Sequence, residues 1–175
     1  MSAPSWLSVV SGTIRGLLEV SFVHQVAKVY LLVRCEETPM SVRRFTPEGM
    51  LQPTPYEHVS VGTGTRHVHV SGQVARSADG APVAPGDLAG QVAHALRNTA
   101  RGLAGAGASF DDVLRLTFYV TDWAPEKIGA FMAGVEQVAG EIGLRVPMPP
   151  ASLIGVDHLF EPDVLVEVEA TAILD

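Results

Sequence analysis

Two acids stand two residues apart in the last strand-like run of the chain, "VLVEVEATAIL", Val164 to Leu174. Side chains alternate along a strand, so Glu167 and Glu169 share one face. A carboxylate so placed can position a water for attack and take its proton. The same pair would also arise as the solvated face of an edge strand, and spacing alone leaves both readings open. His67 and His69 share a face as well. They could chelate a metal as His-x-His, but no third ligand stands at a telling spacing, so no metal is expected. His58, His94 and His158 read as surface or internally satisfied residues. The single cysteine, Cys35, excludes an intrachain disulfide and a multi-cysteine metal site, and fits a reducing cytoplasm. "GTGT", Gly62 to Thr65, lacks the strand, GxGxxG and helix setting of a nucleotide cradle and reads as a turn. No cofactor is expected.

The elements that must carry these residues follow from periodicity. "HVSVGTGTRHVHVSG" holds two alternating runs, His58 to Val61 and His67 to Val70, around Gly62 and Gly64, which predicts a β-hairpin. Asp87 is then a plausible helix cap, and Leu88, Val92, Leu96, Thr99 and Leu103 form one apolar stripe ended by Gly105 and Gly107. "DDVLRLTFYVTD" alternates again, with Leu114, Leu116, Phe118 and Val120 on one face and Val113, Arg115, Thr117 and Tyr119 on the other. Pro125 suits the first turn of a second helix whose stripe is Ile128, Phe131, Met132, Val135, Val138 and Ile142, closed by Gly143. "ASLIGV" and "VLVEVEATAIL" finish as strands. The order is β-β-α-β-α-β-β, an α+β layer with two helices on one face of a four- to six-stranded sheet. The uncovered sheet face calls for an oligomer, apolar where subunits meet and charged where clefts remain.

Composition bounds the rest. At 175 residues and 47% hydrophobic, the chain can bury one sizeable core and reads as one domain. Twelve basic against 19 acidic residues give a net charge of −7, so the attraction to a phosphate backbone is missing and no nucleic-acid partner is expected. Residues 1–39 differ from the remainder. Arg15, Lys28 and Arg34 balance Glu19, Glu36 and Glu37 there, so the net charge arises from Met40 onward. These charges also break the apolar stretches below the ~18 residues of a membrane span, and no basic segment precedes them as in a signal peptide. The expectation is a cytoplasmic protein without a membrane partner. Residues 1–39 are read as an extension, or as the product of an upstream start with Met40 a second start, and residues 40–175 as the domain.

Several segments, taken in order, carry a resemblance. "RFTPEGMLQPTPYEHVSVG", "HVSGQVA", "GDLAGQVAHALRNTARGLAGAGASFDDVLRLTFYVTD", "PPASLIGVDHL" and "VEVEATAIL" resemble the RidA (YjgF-like, reactive intermediate deaminase) family across residues 44–174. The resemblance implies a chorismate-mutase-like α+β fold and a homotrimer with small-molecule clefts between subunits. Deaminases of the family hydrolyse enamines and imines such as 2-aminoacrylate to the keto acid and ammonia. Carried over by position, the water-positioning glutamate is Glu167, the substrate-binding glycine is Gly72 of "SGQ", and the tyrosine of the "PY" segment is Tyr56. For Tyr56 and Gly72 a packing role and a backbone-geometry role remain the plain alternatives.

The resemblance is broken at one point. The deaminase pattern reads Pro-Ala-Arg-Ser where this chain has "PPAS", so Ala151, followed by Ser152, stands in place of the guanidinium that clamps the substrate carboxylate. Losing charge-assisted contacts of ~1.5–3 kcal/mol each would weaken binding of 2-imino acids by several powers of ten, unless Arg145, six residues earlier, swings in. The asparagine common on the family's second helix is also missing from "EKIGAFMAGVEQVAG". The chain thus resembles the arginine-lacking branches. Three functions follow as expectations. The first is a hydrolase of imines, enamines or related electrophiles using Glu167, with Tyr56, Gly72, Ala151 and Ser152 around the ligand. The second is a non-catalytic trimer binding a metabolite or protein partner. The third, an endoribonuclease that inhibits translation, is opposed by the charge and by the lack of an aromatic and basic stripe.

Overall fold

The structure, a computed structural model, describes residues 41–175. The expected extension, Met40 and Cys35 lie outside the described residues. Eight regular elements follow in order: β1 (Val42–Phe45), β2 (Val59–Gly62), β3 (Arg66–Gln73), α1 (Leu88–Gly105), β4 (Val113–Thr121), α2 (Ile128–Ile142), β5 (Ala151–Val156) and β6 (Val166–Leu174). The main sheet has the strand order β3-β6-β4-β5, antiparallel except for the parallel pair β4 and β5. Two helices pack on a mixed sheet, the expected α+β layer.

Both helices form where the stripes predict. In α1 the side chains of Val92, Leu96, Thr99 and Leu103 are buried; Asp87 occupies the cap position in extended conformation, although its side chain makes no capping bond. Pro125 opens a single 3-10 turn ahead of α2, and Gly143 ends the helix at φ 71°, a left-handed conformation that glycine adopts without a Cβ penalty. Phe131 of α2 meets Phe118 of β4 edge to face at 5.0 Å. Leu96, Leu103, Leu116, Val166 and Val168 fill the rest of the space between helices and sheet. Ile128, expected in the α2 stripe, is the first residue of the helix and remains 46% exposed.

Two expectations are corrected. No hairpin joins the runs at 58–61 and 67–70: β2 pairs with an additional strand, β1, from Val42↔Gly62 to Phe45↔Val59, while β3 pairs with β6. The chain crosses between the two sheets at Thr63 to Thr65, where the Thr65 amide donates to the Leu174 carbonyl instead of closing a turn. Alternation reveals a strand but not its neighbour. The β1/β2 pair is tied to β4 by Arg44, which donates to the carbonyls of Phe110, Asp111 and Val113, and by the Ser60 hydroxyl, which donates to the Leu114 carbonyl. The second correction is Val113. It is fully buried on the core side, because a bulge between Val113 and Arg115 against β6 shifts the alternation by one residue.

A polar clasp fixes the lead into β6. Gln91, buried in α1, accepts from the Leu165 amide at 2.9 Å and donates to the carbonyls of Asp163 and Ala84 at 2.9 and 3.3 Å. All of its amide is used inside the fold. The helices themselves touch closely at Gly134, where a Cβ would overlap the Ala89 carbonyl and Val92. Gly134→Ala is expected to push the helices apart at a cost of about 1–3 kcal/mol. Thermal melting should show it as a Tm lower by roughly 3–10 °C, and an unchanged Tm would mean that the helix pair adjusts freely. Among the described residues no helix is long and apolar enough to cross a membrane.

Candidate functional site

β6 lies between β3 and β4, so its open-face side chains are central in the sheet rather than at an edge. Glu167 stands opposite Tyr119 and Glu169 opposite Thr117, all on the face away from the helices. The edge-strand alternative for the acids is thereby removed. The Tyr119 hydroxyl donates to Glu169 Oε2 at 3.1 Å, which with the two carboxylate charges holds the phenol above its ordinary range. No donor reaches the Glu167 carboxylate among the described residues. Burial first, and the charge of Glu169 second, push its pKa above the ordinary glutamate value. The two acids therefore differ in kind: one is engaged by a phenol, the other is unpaired and holds its proton more tightly than an ordinary glutamate.

Gly72 makes room for that unpaired acid. In β3 the register passes from Val70↔Ala170 to Gln73↔Val168, so three steps on β3 oppose two on β6, and the bulge holds Ser71 and Gly72. The Glu167 carboxylate lies on the Gly72 backbone, where any Cβ would overlap Oε1. Of the residues singled out in the sequence, these two meet.

The other three gather at the opposite edge. Tyr56 forms an isolated parallel bridge with Met148, and with Ala151, Ser152, Phe118, Phe131 and Met132 it lines a small apolar recess of about 90 Å³. Ala151 pairs with Leu116 and so faces the helix layer, while Ser152 pairs with Thr117 on the open face. The Ser152 hydroxyl accepts from Arg115 at 2.7 Å. Gly72 lies on β3 and Ala151 on β5, the two outer strands of four. Three strand spacings make roughly 14 Å, so a ligand of a few heavy atoms cannot touch both groups within one chain. Within one chain the two groups of residues remain apart.

The remaining candidates fall into place. Arg145 pairs with Asp111 at 3.0 Å and is 73% exposed, so it does not substitute at Ala151 in this structure. His67 and His69 stack at 6.5 Å, and no cluster of three metal-ligating residues occurs among the described residues. The rings of His58 and His94 each bond a backbone carbonyl, of Leu51 and Arg76. Tyr119 and Arg115 escaped sequence reasoning because the alternation of β4 carries no information on which acids lie across from it. Gln91 was passed over within an apolar stripe, although an amide among Val92, Leu96 and Leu103 is itself a signal of a buried clasp.

The family model for Endoribonuclease L-PSP matches residues 50–174. Among solved structures, a protein of unknown function of the conserved Rid family, YyfB from Yersinia pestis, is 35% identical over 77% of this chain and 100% of its own, with a TM-score of 0.69. The YjgF gene product of E. coli is 26% identical over 75% of this chain and 94% of its own, with a TM-score of 0.54. E. coli TdcF, solved with bound serine, matches with the same identity, coverage and TM-score. No curated protein matches the chain.

Proposed function

Since the chain belongs to the Endoribonuclease L-PSP family, that of the YjgF and Rid proteins, we propose that it is a small-molecule hydrolase in which Glu167 positions a water for attack on an imine, enamine or related electrophilic carbon. The observation that carries the reading is the unpaired Glu167 carboxylate lying on Gly72 with its pKa raised by burial. A base whose pKa is moved toward the working pH removes and returns protons more effectively than an ordinary surface carboxylate. In the proposed step the water oxygen bonds to the imine carbon, the C=N electron pair moves to nitrogen, and a water proton passes to Glu167. That proton is then returned to nitrogen, the carbinolamine hydroxyl passes its own proton by way of Glu167 to the same nitrogen, and as the C–N bond breaks the C=O bond forms and ammonia and a carbonyl compound leave. The serine held by TdcF supports a small polar ligand for this fold. A net charge of −7 favours such a ligand over RNA.

The separation of the two groups supports a site shared between subunits. A second copy that brings its β5 edge, with Tyr56 and Ser152, beside the β3 edge of the first would close a cleft around Glu167, and three copies close a ring. Light scattering is expected to give a mass near three times 18.5 kDa, and a stable monomer at micromolar concentration would leave Glu167 without the other half of its site. The reaction itself is tested by ammonia release across a panel of imines and enamines. Turnover of 2-aminoacrylate is expected to be poor, because Ala151 supplies no guanidinium beside the reacting carbon. A panel without any turnover would favour the non-catalytic, ligand-binding trimer instead.

A further inference from the structure

A groove of about 630 Å³ runs between α1 and the segment that follows β3, and its walls include Gly72, Gln73, His94, Asn98, Arg101 and Gly102. On α1, His94, Asn98, Arg101 and Gly102 are four, three and one residues apart in turn, so they fall on one helix face. That face is built, not merely exposed. Asn98 donates to the carbonyls of Val74 and Arg76, both at 2.9 Å, and accepts from Arg101 Nη1 at 2.6 Å. His94 bonds the Arg76 carbonyl as well. The amide of Asn98 is thus consumed in holding the segment and orienting the guanidinium.

The guanidinium has no acid of its own. Arg76 is paired with Glu161 and Asp163, Arg97 with Glu141 and Arg145 with Asp111, whereas no carboxylate lies within ion-pair distance of Arg101 among the described residues. Glu141, whose carboxyl feels the Arg101 charge, is held by two bonds from Arg97 Nε and one from Nη2. Arg101 lines the groove with donors that no carboxylate among the described residues engages. Gly72, which the Glu167 carboxylate meets from the open face of the sheet, also lines the groove.

We infer that this groove binds an oxyanion, a carboxylate or phosphate, with Arg101 as its anchor. A guanidinium fixed by one bond to Asn98 keeps a fork of donors that matches a planar carboxylate better than an ammonium could.

The test is anion binding to the full-length protein, followed by amide chemical shifts, with 4-oxopentanoate and inorganic phosphate as charged probes and 2-pentanone as the neutral one. Saturable binding of at least one anion is expected, with shifts at Gly72, Gln73 and Gly102, and the tighter of the two identifies the group as carboxylate or phosphate. Arg101→Gln should weaken that binding on the order of tenfold or more, Arg101→Lys should recover part of it, and 2-pentanone should not distinguish the variants. Equal anion affinity in wild type and Arg101→Gln, or no saturable binding of either anion at tens of millimolar, overturns the inference. So does a changed solution mass in Arg101→Gln, which would assign Arg101 to assembly. Glu167→Gln separates the two readings: it should keep anion binding while losing turnover, and if turnover survives, the catalytic reading falls while the anion site stands.

Discussion

Glu167→Gln is expected to lower kcat by about 10²–10⁴ on the substrate that an ammonia-release panel identifies, the usual weight of a general acid–base group. Glu169→Gln should change it by less than about tenfold, since that carboxylate already accepts the Tyr119 hydroxyl and is not the free base. The difference is a matter of geometry. Both acids face the same way on β6, but only Glu167 lies on Gly72 without a donor. Acidity provides a second readout. Burial and the neighbouring charge raise the Glu167 pKa, so the acid limb of the rate profile should lie above the ordinary glutamate value of 4.5, and it should vanish in Glu167→Gln. Stability carries the opposite sign. The folded chain holds this proton more tightly than the unfolded chain, so stability from Glu167 is present at low pH and is lost as pH rises through the folded pKa. Glu167→Gln, which never ionises, should therefore melt no lower than wild type at neutral pH. Equal rate losses from the two substitutions would make both acids a structural pair and end the hydrolase mechanism drawn through Glu167.

Gly72→Ala should be nearly as damaging to the reaction and nearly harmless to the fold. The added Cβ meets the end of the Glu167 side chain and not backbone, so the carboxylate can swing aside at small cost. Such displacement by about 1 Å is worth on the order of 10² in rate when the displaced group positions a reactant. Tm should move by less than ~3 °C, the scale of a kcal/mol or so in a domain of this size. A carboxylate driven out of its niche is better solvated, so the acid limb should also move down toward the ordinary value. Full activity in Gly72→Ala would show that the carboxylate works from elsewhere. A Tm loss of ~10 °C or more would show that the bulge itself, and not the acid, requires the glycine.

Much of this architecture was legible residue by residue. The stripes of α1 and, apart from Ile128, of α2 were correct because a helix buries one face whatever its neighbours are, and the shared face of Glu167 and Glu169 followed from strand alternation alone. The ordered segments from "PYEHVSVG" to "VEVEATAIL" resembled the family to which the chain belongs. What failed were statements about partners. The supposed hairpin at Gly62 to Thr65 and the side assigned to Val113 both depended on register, which is set by residues more than a hundred positions away in one case and by a bulge in the other. The site was legible only in fragments for the same reason. Gly72 and Glu167 are 95 positions apart and meet because β3 happens to pair with β6. Arg101 carried no signal at all, since an arginine on the polar side of a helix looks like every other until its neighbours are known.

The clasp made by Gln91 has a consequence in time as well as in space. The segment that leads into β6 looks like a surface connection, yet its Leu165 amide is bonded to a side chain sealed inside α1, and its Leu165 carbonyl accepts from Thr121 at the end of β4. Opening that segment would strand a buried amide, so it cannot fray on its own as loops do. The Leu165 amide proton should exchange with solvent only in the rare events that open the helix and sheet together. Glu167 stands two residues further on, and it inherits this slow clock: its strand is released not by local breathing but by the same cooperative unit that holds the core.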